Sequence, residues 1–288
     1  MTGKPYILEQ TTWKTVRDTA YEVAVLPWGA TEAHNYHLPY GTDNSEAGHV
    51  AAEAARRAWD AGAKVIVLPV VPFGVNTGQL DIKLCLNMNP TTQAALLADI
   101  ATSLEIQGIR KLVIINGHGA NDFRQMIREL QPKCGVFICT VNWWSCLDSR
   151  SFFDDAGDHA GELETSVMIA IEPELVLPLA EAGEGGARRF KVPGLREGWA
   201  WAPREWTKVT DDTGFRQSGS CDRCKGSEVP RRGRRQDRRA VDRPRGGRPR
   251  CDVRIGTGER AEPSLGFFRW PDRPVGLRIG GLAHNPSI

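Results

Sequence analysis

No apolar run in this sequence approaches the roughly 20 residues that a membrane-spanning helix needs. The first residues, Met1-Thr2-Gly3-Lys4-Pro5, also lack the apolar core of a secretory signal. The expectation is a cytoplasmic protein that makes no use of a membrane. Cysteine is scarce: seven in 288 residues, an odd number without regular spacing, which argues against a disulfide-stapled scaffold and suits reduced thiols. Histidine is scarcer still. Of six, five (His34, His37, His49, His118 and His159) lie before residue 172.

What remains is ordinary globular material. A hydrophobic content of 41% over this length buries a sizeable core, in one large domain or two small ones. The net charge of +2 divides unevenly, at −6 over residues 1–210 and +8 over residues 211–288. Such asymmetry marks either a basic tail for an acidic partner or a segment of different origin.

From residue 22 to about 172, short apolar runs alternate with longer amphipathic ones, the pattern of a parallel α/β sheet. Strands are predicted at Val23–Pro27, Lys64–Val70, Lys111–Ile115 and Val136–Val141. Helices are predicted from Ser45 to Trp59, from the Asn89-Pro90-Thr91-Thr92 cap to about Gln107, from Asp122 to Leu130, and from Gly161 to Ile171 before Glu172-Pro173.

In an open parallel sheet, functional groups collect beyond the carboxyl ends of the strands. The first strand runs into Glu32 and His34, two residues apart and so on one side of an extended segment, and Asp43 returns from the loop that follows. The third strand ends in Asn116-Gly117-His118-Gly119-Ala120-Asn121, whose glycines allow a sharp turn at the strand tip. A third cluster, Asp158 to Glu164, opens a helix. Taken singly, each histidine is read as an ordinary surface or hydrogen-bonding residue, and Glu162 and Glu164 as a solvated helix start. Together, carboxylates and imidazoles at these points form a plausible divalent-metal site. His49 falls inside a helix and keeps the ordinary reading.

Gly29-Ala30-Thr31-Glu32-Ala33-His34, then His37-Leu38-Pro39-Tyr40-Gly41-Thr42-Asp43, then Asn116 to Asn121, then His159-Ala160-Gly161-Glu162-Leu163-Glu164-Thr165-Ser166 resemble the creatininase (creatinine amidohydrolase) family, in its order. The resemblance covers residues 22–172 and extends to about Thr213. It implies an α/β fold of three layers, with a central, mainly parallel sheet flanked by helices. It also implies two divalent metal ions (zinc, manganese or iron), hydrolysis of a C–N bond in a small cyclic or linear amide, and assembly into a homo-oligomer, often a hexamer. Glu32 and His118 would hold one ion, His34 the other, and Asp43 would bridge them.

Creatinine hydrolases carry a further carboxylate two residues after the third-motif histidine, where this chain has Ala120. Glu164 is the replacement candidate, with Glu162 second. His159 matches a histidine that moves a proton to the leaving nitrogen, work that Glu162 shares. The tryptophan that covers creatinine near the last motif is missing, which leaves Trp143 and Trp144 to line the substrate or to serve as core or interface. Family members also include deformylases and peptide-trimming enzymes, so the amide itself stays open.

After about Thr213 the order is lost. Residues 215–288, rich in arginine, are expected to be disordered or loosely attached beside a catalytic domain over residues 1–214. Arg231-Arg232-Gly233-Arg234-Arg235 suits a nucleic-acid arm or a solvated tail. Cys221-Asp222-Arg223-Cys224, followed only by Cys251, lacks the paired spacing of a zinc site. The abrupt change to Arg, Gly, Pro and Cys fits best a coding sequence read out of frame from near residue 215, which reading the other frames decides.

Overall fold

The computed structural model describes residues 3–146, 148–153 and 156–215, with the backbone alone at residue 150. The Arg-rich stretch and the Cys221–Cys224 pair lie outside the described residues. So does the proposed change of reading frame, apart from Phe215.

Helix α1 (Trp13–Arg17) leads into strand β1 (Val23–Trp28), helix α2 (Thr42–Asp60), strand β2 (Val65–Val67), helix α3 (Pro90–Ile106) and strand β3 (Lys111–Asn116). Helix α4 (Phe123–Leu130), strand β4 (Phe137–Asn142), helix α5 (Glu162–Ile171) and the short turns α6 (Pro193–Glu197) and α7 (Trp206–Val209) follow. The sheet has four strands in the order β2-β1-β3-β4, and every pairing is parallel.

Alternation along the strands builds the three layers. Val25 of β1 and Ile115 of β3 point to one face, where Ala51 and Ala55 of α2 and Leu163 and Val167 of α5 cover them. Ala24, Leu26, Leu112 and Ile114 point to the other, against Leu97, Ala101 and Leu104 of α3 and Phe123 of α4. Both faces are therefore apolar, which is why the strands read as continuous apolar runs. Trp28 ends β1 fully buried, 4.9 Å from the Phe123 ring, and its indole donates to the Phe73 carbonyl at 2.9 Å.

Strand β2 is shorter than its apolar run predicts: Val23 donates to the Lys64 carbonyl and Leu68 to that of Val25, and in this register the residue of β1 due to donate next beyond Val25 is Pro27, which has no N–H. Helix α2 begins at Thr42, earlier than Ser45, with Gly41 at its N-cap. Asp122 caps α4 by accepting from the Arg124 amide at 3.1 Å. Asn89 stands at the start of α3, but its side chain turns away and accepts from Asn87. Among the described residues, no helix is long and apolar enough to cross a membrane.

Candidate metal centre

Beyond the carboxyl ends of β1 and β3, Glu32, His34, Asp43, His118, His159 and Glu164 converge. Three triads bring their ligand atoms within 4.8 Å of one another: Glu32–Asp43–His118, His34–Asp43–Glu164 and Glu32–His34–His159. One expectation is corrected: Asp43 is a residue of the first turn of α2 rather than of a loop, where a carboxylate also suits the helix dipole. The convergence needs backbone contact that only glycine permits. A Cβ on Gly117 would lie 2.6 Å from the Asp43 carbonyl oxygen, and one on Gly74 would lie 2.8 Å from His118 Cδ2.

The two asparagines of the Asn-Gly-His-Gly-Ala-Asn segment hold the strand exit. The Asn116 amide donates to the His118 carbonyl at 3.0 Å, and its Oδ1 accepts from the His118 N–H at 3.2 Å. Asn121 Oδ1 accepts from the Val75 N–H at 3.0 Å, and the Val75 carbonyl in turn receives His118 Nε2 at 3.0 Å.

The three histidines share one pattern. A backbone carbonyl can only accept, so any ring nitrogen bonded to one must carry the hydrogen. His34 Nδ1 donates to the Glu32 carbonyl at 3.2 Å, His118 Nε2 to that of Val75, and His159 Nε2 to that of Ala33 at 2.9 Å. Each tautomer is thereby set, and the second nitrogen of every ring faces carboxylate oxygen. His34 Nε2 lies 3.0 Å from Asp43 Oδ1, His118 Nδ1 lies 2.8 Å from Glu32 Oε1 and 3.0 Å from Asp43 Oδ2, and His159 Nδ1 lies 3.8 Å from Glu32 Oε1. Glu32 Oε1 and Asp43 Oδ2 are buried without an aligned hydrogen-bond donor. Lone pair meets lone pair at these contacts unless a positive charge sits between them. Metal-binding histidines tie their outer N–H to a carbonyl or carboxylate in this way, so the donor set fits divalent cations.

In the metal-free chain, protons take that place. Burial alone would lower the His34 imidazole, but the charge and hydrogen bond of Asp43, with Glu32 and Glu164 behind, carry it up to about 10. His118 is likewise raised against its burial by Glu32 and Asp43. Burial pushes Glu32 and Asp43 up, and the histidine charges overcome it and hold both below the usual carboxylate range. A histidine raised in the folded state contributes stability that is fully present below its unfolded value near 6.5 and is lost as pH rises through the folded one. Chelator-treated protein is therefore expected to melt at progressively lower temperature from pH 6.5 to about 10. Thermal melts of His34→Gln should show a shallower slope across that window.

Other candidates fall elsewhere. Glu162 is fully buried in the first turn of α5, and the triads contain Glu164 instead. Trp143 is buried in the core layer with Phe153 and Leu163, and Trp144 packs edge-on against it at 6.3 Å. His37 bonds Thr165 Oγ1 at 3.0 Å, and burial together with the His34 charge lowers it to about 4. His49 is exposed on α2.

Four residues of the site escaped the sequence reading. Glu46, one turn beyond Asp43 on α2, is fully buried with neither carboxyl oxygen bonded. Burial, then Glu164 and Asp43, raise it well above the usual range. Placing Asp43 on the helix would have revealed Glu46 at the i+3 position. Gln79 and Cys85 lie in a loop with no period, and Gln79 donates to Glu32 Oε2. Trp206 of α7 meets the His159 ring edge-on at 4.8 Å, forming a wall of the site.

A parallel α/β sheet with a buried carboxylate–histidine cluster beyond the carboxyl ends of its strands defines the class, that of α/β proteins with a candidate cation centre at the strand exits. The Creatininase family model, creatinine amidohydrolase, matches residues 9–233. A crystal structure from Bacteroides fragilis NCTC 9343, provisionally named a creatinine amidohydrolase, superposes with a TM-score of 0.75 at 42% identity, covering 80% of this chain and 92% of that one. A mycofactocin precursor peptide peptidase of Mycobacterium ulcerans (strain Agy99) is 29% identical over 181 residues, 60% of this chain and 68% of that protein. A mutant creatininase of Zn–Zn type and a manganese creatininase share the fold at 22% identity, with TM-scores of 0.62 and 0.64, each covering 79% of this chain and 93% of its own. The chain belongs to the creatininase family of amidohydrolases.

Proposed function

We propose that this chain is a metal-dependent amidohydrolase that cleaves the C–N bond of a small cyclic or linear amide. Two divalent ions would be held, one by Glu32, Asp43 and His118, the other by His34, Asp43 and Glu164. The observation that carries this reading is the pattern of three histidines, each tied by one nitrogen to a backbone carbonyl and facing carboxylate oxygen with the other. The zinc and manganese forms of solved creatininases favour those metals, and iron suits the same ligands.

Bound there, the ions supply a Lewis acid for the amide carbonyl and bring the acidity of water toward neutral pH. The chain's own residues do the rest. Glu32, His34 and Asp43 are at most 1% exposed, so bulk water is excluded and every charge in the centre acts at low dielectric. His159 keeps Nε2–H on the Ala33 carbonyl, which leaves Nδ1 to take a proton from the attacking water and return it to the departing nitrogen. Glu162 is the second proton carrier we assign. With Trp143 in the core and Trp144 packed against it, we assign the aromatic face for the substrate to Trp206.

A second reading, peptide-bond hydrolysis, is favoured by the 29% identity to a precursor peptide peptidase. Zinc- or manganese-loaded protein assayed on creatinine, formamides and short peptides separates the two. Turnover of creatinine or formamide, abolished in Glu32→Ala and His118→Ala, is the expected result. Turnover of peptides alone selects the second reading, and full activity in both variants sinks either. A homo-oligomer, a cytoplasmic location and a catalytic domain over residues 1–214 belong to the same proposal.

A further inference from the structure

Glu32 has two carboxylate oxygens, and the chain distinguishes them. Gln79, 2% exposed at the end of the short 3-10 turn Thr77–Gln79, donates through Nε2 to Glu32 Oε2. The other end of that amide, Oε1, accepts from Cys85 Sγ at 3.2 Å. The same sulfur accepts from the Ala33 N–H at 3.2 Å. A backbone N–H only donates and a thiol has one hydrogen, so the direction of the relay is determined throughout. It runs from Ala33 N–H to Sγ, from the thiol to Gln79 Oε1, and from the amide to Glu32. With Oε2 engaged, Oε1 is the oxygen that faces His118 Nδ1 at 2.8 Å and His159 Nδ1 at 3.8 Å.

We propose that Gln79 is a positioning residue that selects which oxygen Glu32 offers to a divalent cation, and that the Cys85 thiol sets the orientation of the Gln79 amide. The inference rests on the reading of Glu32 as a metal ligand. A neutral donor suits the task. Lysine or arginine at this point would satisfy Oε2 but would also neutralise the carboxylate, competing with the cation, whereas an amide orients the group and leaves its charge. Cys85 is buried beside the thiol's two partners, and burial raises its pKa, so it stays a thiol and keeps its hydrogen for Gln79. Outer partners of this kind contribute about 10–100-fold to metal affinity.

The full chain, stripped with chelator and titrated with Co2+, tests the relay through two readouts besides activity. These are the dissociation constant from competition with a chelating dye and the visible absorption of the bound ion. Gln79→Ala is expected to weaken Co2+ by about 10–100-fold and to alter the spectrum. Gln79→Met, which keeps the volume and loses the donor, should do the same and answers the question if the alanine variant does not fold. Cys85→Ala should move both readouts in the same direction, and Cys85→Ser, which retains a donor and an acceptor, should restore most of the loss. Wild-type affinity and spectrum in Gln79→Met overturn the relay and leave the metal reading standing. Failure of the wild-type chain to take up Co2+ overturns the metal reading and the relay with it.

Discussion

Asp43→Asn is expected to lower amide hydrolysis by about 10³-fold or more, since several kcal/mol of charge stabilisation are at stake. The metal content should fall from two ions per chain to fewer than one. Asp43 spans the centre: Oδ1 lies 3.0 Å from His34 Nε2 and Oδ2 3.0 Å from His118 Nδ1, and it belongs to both of the triads assigned to the ions. Asparagine preserves the shape but has one acceptor in place of two and no charge, so one side of the bridge opens and the other weakens. Glu164 and Glu46 cannot take over. Glu164 Oε2 already accepts from the Ala160 N–H at 2.6 Å, and burial with the charges of Glu164 and Asp43 disfavours the charged form of Glu46. Metal analysis by mass spectrometry beside the turnover number checks the expectation. Two ions per chain in an inactive variant would remove the bridging role from Asp43. In the metal-free variant, His34 and His118 lose the carboxylate that retains their protons, so stability should depend less on pH across the alkaline window.

How much of this was legible from residues alone depends on what kind of signal each feature leaves. β1 and β3 are apolar on both faces because helices cover both, and such runs stand out. α3, α4 and α5 announce their ends through Pro90, Asp122 and Gly161. The start of α2 is masked in the sequence because Thr42-Asp43-Asn44 reads as turn chemistry, and the relation of Glu46 to Asp43 on one helix face is masked with it. Strand order leaves no local trace, and β2-β1-β3-β4 emerges only from packing. Of the site, the residues at strand exits and at the α5 start were readable, since carboxylates and histidines are conspicuous there. Gln79 and Cys85 were not, because an amide and a thiol in an aperiodic loop carry no pattern until the backbone brings them to Glu32. Trp206, 47 residues beyond His159 in sequence, had the same disadvantage, as their contact is purely tertiary. The Arg-rich stretch was conspicuous in composition, and the match of the family model to residue 233 runs into it.

His159→Ala is expected to lower the turnover number by about 10²–10⁴-fold, the usual share of general acid–base catalysis, while metal content stays at two ions per chain. The chain invests in the orientation of this ring. Ala160 beside it is held at a positive φ of 50°, which costs a non-glycine residue about 1–2 kcal/mol, and the Glu164 carboxylate secures the strained peptide through the Ala160 N–H. On the other side Phe215 pairs with the His159 backbone, its N–H donating to the His159 carbonyl at 2.8 Å. The ring itself stacks 4.2 Å from His34 and meets Trp206 at 4.8 Å. A ligand would need only its nitrogen within reach of an ion. A proton carrier must also keep one nitrogen unoccupied by a hydrogen, and the Nε2–H bond to Ala33 leaves Nδ1 so, on the side of the centre and 3.8 Å from Glu32 Oε1. Added imidazole should restore part of the rate in His159→Ala, because a small base can occupy the space of the missing ring and move the same proton. A fall in metal content together with the rate, and no rescue, would make His159 a ligand through its triad with Glu32 and His34 and pass the proton transfer to Glu162.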